Sequence, residues 1–123
     1  MGTAIETEEE LDNLMNNTGE AVQLLFDTGH MTFARGNSVN VIKKYAKRIN
    51  HVHTKDIRSE IINSLDKSNE SFLDAVLKGA FTVPGDGNIN FKEIVEALAQ
   101  NNYQGWFIVC LLYTSPSPRD LDL

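Results

Sequence analysis

Two short, nearly unbroken apolar runs constrain this chain more than any other feature. Ala21-Val22-Gln23-Leu24-Leu25-Phe26 leads into Asp27-Thr28-Gly29-His30, and Gly105-Trp106-Phe107-Ile108-Val109 comes near the C-terminus. Both are short, and neither alternates apolar with polar residues. Such runs suit strands buried on both faces, as in a parallel sheet. A third β-prone run, Asn50 to Ile57, lies between them, and helical patterns separate all three. Strands spaced by helical segments of about ten residues or more point to right-handed βαβ units around a parallel sheet. The polar residues and glycine after Phe26 mark the end of a strand, where α/β folds usually carry function.

Helix signals fill the gaps. Thr7 with Glu10 makes a capping box, Leu11, Leu14 and Met15 supply an apolar stripe, and Asn16-Asn17-Thr18-Gly19 ends it. Ser38 is expected to cap a second helix with Val39, Ile42, Tyr45, Ala46 and Ile49 on its apolar face. Lys43, Lys44, Lys47 and Arg48 are its solvated side. From Arg58 to Phe81 the pattern is helical, with Ile61, Ile62, Leu65, Phe72, Val76 and Leu77 as the buried side. Thr82 to Gly87 is a loop, and Phe91, Ile94, Val95 and Leu98 define a last amphipathic helix.

Composition narrows the function class. A formal charge of −6 over 123 residues argues against a nucleic-acid or anionic-membrane binder. The single cysteine, Cys110, excludes an internal disulfide or a cysteine-based zinc site. No run approaches the roughly 18 apolar residues of a membrane span, and the N-terminus lacks a signal-peptide pattern. A soluble, cytoplasmic protein is expected.

Asp27 and His53 fall near the C-terminal ends of neighbouring strands, with His30 and Lys55 close behind. A carboxylate and an imidazole on one rim are donors a divalent metal takes. His30 can transfer a proton near neutral pH, and Lys55 can hold a substrate oxygen. Other roles stay open at this point: an aspartate after a strand often caps the next helix, and a histidine in a sheet is often hydrogen-bonded core. In a strand, His51, His53 and Lys55 share one face. Asp86 to Glu93 matches the second half of a calcium-binding EF-hand loop, but Thr82 and Pro84 stand where its first ligands belong. A glycine-rich turn leading to a helix at Asn90 is the better expectation, with a non-enzymatic calcium module as the competing class.

Taken in order, Leu25-Phe26-Asp27-Thr28-Gly29-His30, His51-Val52-His53-Thr54-Lys55-Asp56 and Phe81-Thr82-Val83-Pro84-Gly85-Asp86-Gly87 resemble successive motifs of the xylose-isomerase-like TIM-barrel superfamily. Met1-Gly2-Thr3 and the strand at Gly105 to Val109 add to the likeness. The resemblance implies an α/β fold, the C-terminal portion of a (β/α)8 barrel supplying about three βα units. A whole barrel of this kind needs roughly 250 residues and eight strands. It implies a divalent metal, manganese or cobalt, with Asp27 and His53 among its ligands. It places His30 beside the substrate as a candidate for proton transfer, Lys55 and Asp56 on the loop lining the pocket, and His51 deeper on the same face. The implied reaction is loss of water from a cyclic keto-polyol in inositol breakdown, giving a cyclohexane-dione, which makes the parent a lyase. A sugar isomerase or epimerase of the same superfamily is the alternative.

The family continues after the last strand with a metal-binding glutamate, where this chain has Cys110. From there Cys-Leu-Leu-Tyr-Thr-Ser-Pro-Ser-Pro-Arg-Asp resembles the translation of a sequencing-library adaptor. The expected organisation is therefore residues 1–109 from the barrel and 110–123 an unrelated tail, in a fragment expected to be inactive by itself.

Overall fold

The computed structural model describes residues 5–66 and 68–110. Met1-Gly2-Thr3 and the tail beyond Cys110, both part of the sequence expectations, lie outside the described residues. The elements run α1 Glu8–Asn16, β1 Leu24–Asp27, α2 Thr28–Phe33, α3 Ser38–Tyr45, β2 Ile49–Thr54, β3 Asp56–Ile57, α4 Ser59–Ser64, α5 Phe72–Leu77, β4 Phe81–Thr82, α6 Phe91–Gln100 and β5 Trp106–Val109. A 3-10 turn over Ala46–Arg48 joins α3 to β2. No described helix is long and apolar enough to cross a membrane.

The main sheet has the order β1-β2-β5, parallel throughout, as the alternation of strand and helix requires. It is open and does not close into a barrel among the described residues. Its helix-facing side is sealed: Phe26 and Val52 are 2% and 0% exposed and pack with Leu11, Met15, Val41, Ile42, Ile94 and Leu98. A smaller cluster of Ile57, Ile62, Ala75, Ala80 and Phe81 gathers around the antiparallel β3–β4 pair.

Several sequence expectations shift. The first strand begins at Leu24 and runs through Asp27, because the Arg48 guanidinium takes the carbonyls of Met15, Gly19 and Val22 and holds the preceding residues in a turn. Asn37, not Ser38, caps α3, its side chain accepting the Asn40 N–H, and Val41 joins Ile42 in the core. The helical stretch from Arg58 to Phe81 divides into two six-residue helices, and Leu77 is exposed. In α6 the buried positions are Ile94, Ala97 and Leu98, with Val95 outside. The largest correction concerns β5. Expected to be covered on both faces, it is exposed at every position, Trp106 by 72%. It is the edge strand of an open sheet, so its apolar faces lack the layers such a strand normally meets.

Candidate active site at the strand ends

Parallel pairing decides what meets what at the strand ends. The register sets Asp27 beside His53 and Leu25 beside His51, while Phe26 and Val52 are paired on the sealed side. Residues two apart share a face, so Asp27, His51 and His53 stand together on the side away from the helices. Asp27 then ends β1 and caps α2: its Oδ1 accepts the His30 N–H at 3.0 Å. The capping role open to it at the sequence level is thus filled by one oxygen, and a carboxylate has a second to offer.

The second oxygen is the focus of the site. Lys55 Nζ stands 2.6 Å from Asp27 Oδ2, with His53 Nδ1 at 3.8 Å and His30 Nε2 at 3.9 Å from the same atom. The ion pair is largely buried, Lys55 being 8% and Asp27 12% exposed along the side chain. Thr28, fully buried, fixes Lys55: its Oγ1 donates to the Lys55 carbonyl at 2.7 Å and accepts the Lys55 N–H at 3.1 Å. Thr28 was singled out only as part of its motif, and nothing in its local sequence signals this long-range clamp. Gly29 makes the approach possible, since a Cβ there would lie 2.6 Å from Lys55 Cβ.

His30 is held from the other side by rings. Its imidazole stacks on Phe72 at 5.3 Å and lies 5.7 Å from Phe81, with Phe33 completing the cluster. Burial lowers the His30 pKa below its ordinary value, and the Asp27 charge opposes that shift. A pocket of about 320 Å3 opens beside β1 and is lined by Leu24, Leu25, Phe26, Asp27, His30 and Met31 among others.

Of the two residues expected to bind substrate, one stands elsewhere. His51 lies one step deeper on the same face, its Nδ1 2.9 Å from Asn50 Oδ1. Asp56 does not line the cleft. It is fully buried, and its carboxylate accepts the N–H groups of Ile57, Gly85, Gly87 and Ile89 at 2.8–3.0 Å. Those bonds organise the loop after β4, and Gly87 is required there because a Cβ would strike the Ile57 carbonyl at 2.3 Å. Asp86, in the loop that resembles a calcium site, accepts hydrogen bonds from Thr82 and Arg58, which hold its carboxyl below the usual range. Asn90 caps α6, as expected for a turn leading into a helix. Cys110 follows β5 onto the rim: its N–H reaches the Thr54 carbonyl at 3.3 Å, and burial raises its thiol pKa.

The donor set suits a cation. One carboxylate oxygen already carries an ammonium and has two imidazole nitrogens within 4 Å. Carboxylate oxygen and imidazole nitrogen are ligands a borderline divalent ion accepts. Among the described residues no three His, Cys, Asp or Glu close around one point, so Asp27 and His53 by themselves would offer such an ion an incomplete shell.

Against known sequences, residues 1–122 match the profile of the xylose isomerase-like TIM barrel. The chain belongs to that family. It is 53% identical over 110 residues to an inosose dehydratase of Clostridium botulinum (strain Eklund 17B / Type B), covering 89% of this chain and 37% of the relative. It is 51% identical over 109 residues to the rhizopine catabolism protein MocC of Rhizobium meliloti, covering 89% and 34%. The chain thus spans little more than a third of the relatives it matches. A solved xylose isomerase-like TIM barrel/4-hydroxyphenylpyruvate dioxygenase fusion protein superposes with a TM-score of 0.68 at 17% identity, over 95% of this chain and 18% of that one, a likeness of fold. The parallel β1-β2-β5 sheet with its outer helices is part of such a barrel, and its open face corresponds to the barrel interior.

Proposed function

We propose that this chain carries the strand-end residues of a carbon–oxygen lyase that removes water from a cyclic keto-polyol, inosose, giving a cyclohexane-dione. The observation that carries the proposal is the juxtaposition of Asp27, His30, His53 and Lys55, in a chain about half identical to relatives named inosose dehydratase. In the elimination, the C–H bond next to the ketone breaks and its electron pair builds the new double bond. The neighbouring C–O bond then breaks, and the departing hydroxyl takes a proton to leave as water.

In this proposal His30 carries the proton transfers, which is supported by its Nε2 lying on the Asp27 side of the ring and by the aromatic rings packed against it. Lys55, once freed from Asp27, donates to a substrate oxygen, and His51 binds a hydroxyl deeper on the same face. Asp56 contributes by positioning, since it ties the loop after β4 to the residue next to Lys55. Asp27 and His53 would hold a divalent ion, manganese or cobalt, which supplies Lewis-acid stabilisation of negative charge. Further ligands would come from outside the described residues, and a glutamate in place of Cys110 would be one. By this proposal residues 1–109 are the barrel part, residues 110–123 are a foreign tail, and the 123-residue chain alone does not turn over.

A chimaera tests this. Residues 5–109 replace the matching segment of the C. botulinum relative, whose own residues then follow Val109. Supplied with manganese and inosose, it is expected to produce an ultraviolet-absorbing dione, while the 123-residue chain alone produces none. A product of unchanged mass would instead mark an isomerase or epimerase. A folded chimaera inert on inosose would remove the substrate assignment.

A further inference from the structure

The position of Lys55 conflicts with the use of Asp27 as a metal ligand. The backbone of Lys55 is fixed on both sides: Thr28 Oγ1 clamps its N–H and carbonyl, and Asp56 is locked by backbone amides from the next loop. Gly29 leaves just enough room for its side chain to pass. The ammonium is thereby delivered to one atom, Asp27 Oδ2, at 2.6 Å. Asp27 Oδ1 is turned toward the His30 N–H at the start of α2. Oδ2 is therefore the oxygen that faces His53 and the one a divalent ion shared with His53 would take. An ammonium and a divalent ion against the same oxygen would stand a few ångströms apart in a poorly solvated cleft, where like charges repel strongly.

We infer that the Lys55 ammonium occupies the cation position of Asp27 and is exchanged out when a divalent ion binds there. This rests on the proposal that Asp27 and His53 hold such an ion. Before exchange, Lys55 neutralises a carboxylate that is otherwise poorly solvated, which keeps the rim assembled. After exchange, the same ammonium is released toward the cleft, beside the incoming cation, where a substrate oxygen is its natural acceptor. Lys55 is thus the residue that sets the affinity of the site for its ion and couples ion binding to the availability of a hydrogen-bond donor.

Manganese binding to the 123-residue chain, followed by the loss of the free-ion electron paramagnetic resonance signal, tests the exchange. Lys55→Met is expected to bind manganese at least about tenfold more tightly than the parent, because a charged hydrogen bond no longer competes for the oxygen. Asp27→Asn is expected to abolish the increment in the Lys55→Met background. Equal or weaker binding by Lys55→Met, with binding still lost in Asp27→Asn, would overturn the exchange and leave the metal proposal standing. Binding that no Asp27 substitution affects would remove the metal proposal and the exchange with it. Should Lys55→Met fail to fold, amine acylation read residue by residue in the unsubstituted chain replaces it. Manganese is then expected to raise the labelling rate of Lys55 several-fold relative to Lys43, and an unchanged or lower rate would overturn the exchange.

Discussion

The two faces of the β1-β2-β5 sheet are made from alternate residues of the same strands, yet they do different work. On the helix side, Phe26 and Val52 disappear into a packed core. On the other side, the residues one position away are Leu25, 50% exposed, and Asp27, His51 and His53. The sealed face supplies the apolar burial that stabilises the sheet. The open face carries the candidate site, and the parallel register assembles it: fixing Val52 beside Phe26 leaves His53 no place but beside Asp27. Stability and function are therefore coupled through register and not through contact, because a slip of one residue would exchange the faces.

Substitutions at adjacent positions should separate the faces most sharply. Phe26→Ala is expected to destabilise the chain by about 3–5 kcal/mol in chemical denaturation, and Leu25→Ala by under about 1 kcal/mol. Equal losses would mean that the open face is also covered. Next in size, Asp56→Ala leaves the buried Ile57 N–H and the part-buried Gly85, Gly87 and Ile89 bonds without their acceptor and should cost about 3 kcal/mol. The hydrogen-exchange signature should be local, with Gly85, Gly87 and Ile89 amides losing protection before the β1-β2 ladder does. Loss of protection across the sheet at once would contradict the separation of the loop from the main core.

The smallest effect is set by His30. Its pKa is lowered in the folded chain, chiefly by burial, from an unfolded value of about 6.5. The folded state then binds fewer protons than the unfolded one below that value, so the contribution is intact above pH 6.5 and declines as pH falls toward the folded value. Melting temperatures from about pH 7.5 to 5.5 should therefore fall more steeply for the parent than for His30→Gln. Parallel curves would mean that the aromatic wall does not desolvate the ring.

Most helix starts and the grouping of the candidate residues were legible in the sequence, although the cap of α3 is Asn37 and not the expected Ser38. The Thr7–Glu10 capping box and the Asn90 turn into α6 follow from side chains three residues apart. The joint placement of Asp27 and His53 follows from two strand ends in parallel units. What was not legible depends on remote partners. The start of β1 is set by Arg48, the burial of Asp56 by a loop about thirty residues on, and the seat of Lys55 by Thr28. The β3–β4 pair has two residues in each strand, too few for any periodicity to register. The exposure of β5 was misjudged because an apolar run reports the environment a strand is built for, and the sheet edge leaves that environment unfilled.

Central to the proposal is one cation-holding site centred on Asp27, formed by open-face residues at the ends of β1 and β2 together with His30 of α2. Paramagnetic broadening of histidine ring signals by substoichiometric manganese tests it most directly, read on the parent chain and on Asp27→Asn. The account predicts that His30 and His53 broaden first, that His51 follows only at higher manganese, and that Asp27→Asn removes the order. Broadening centred instead on the acidic loop at Asp86, or on Asp66 and Glu70, with His30 and His53 unaffected, would contradict it.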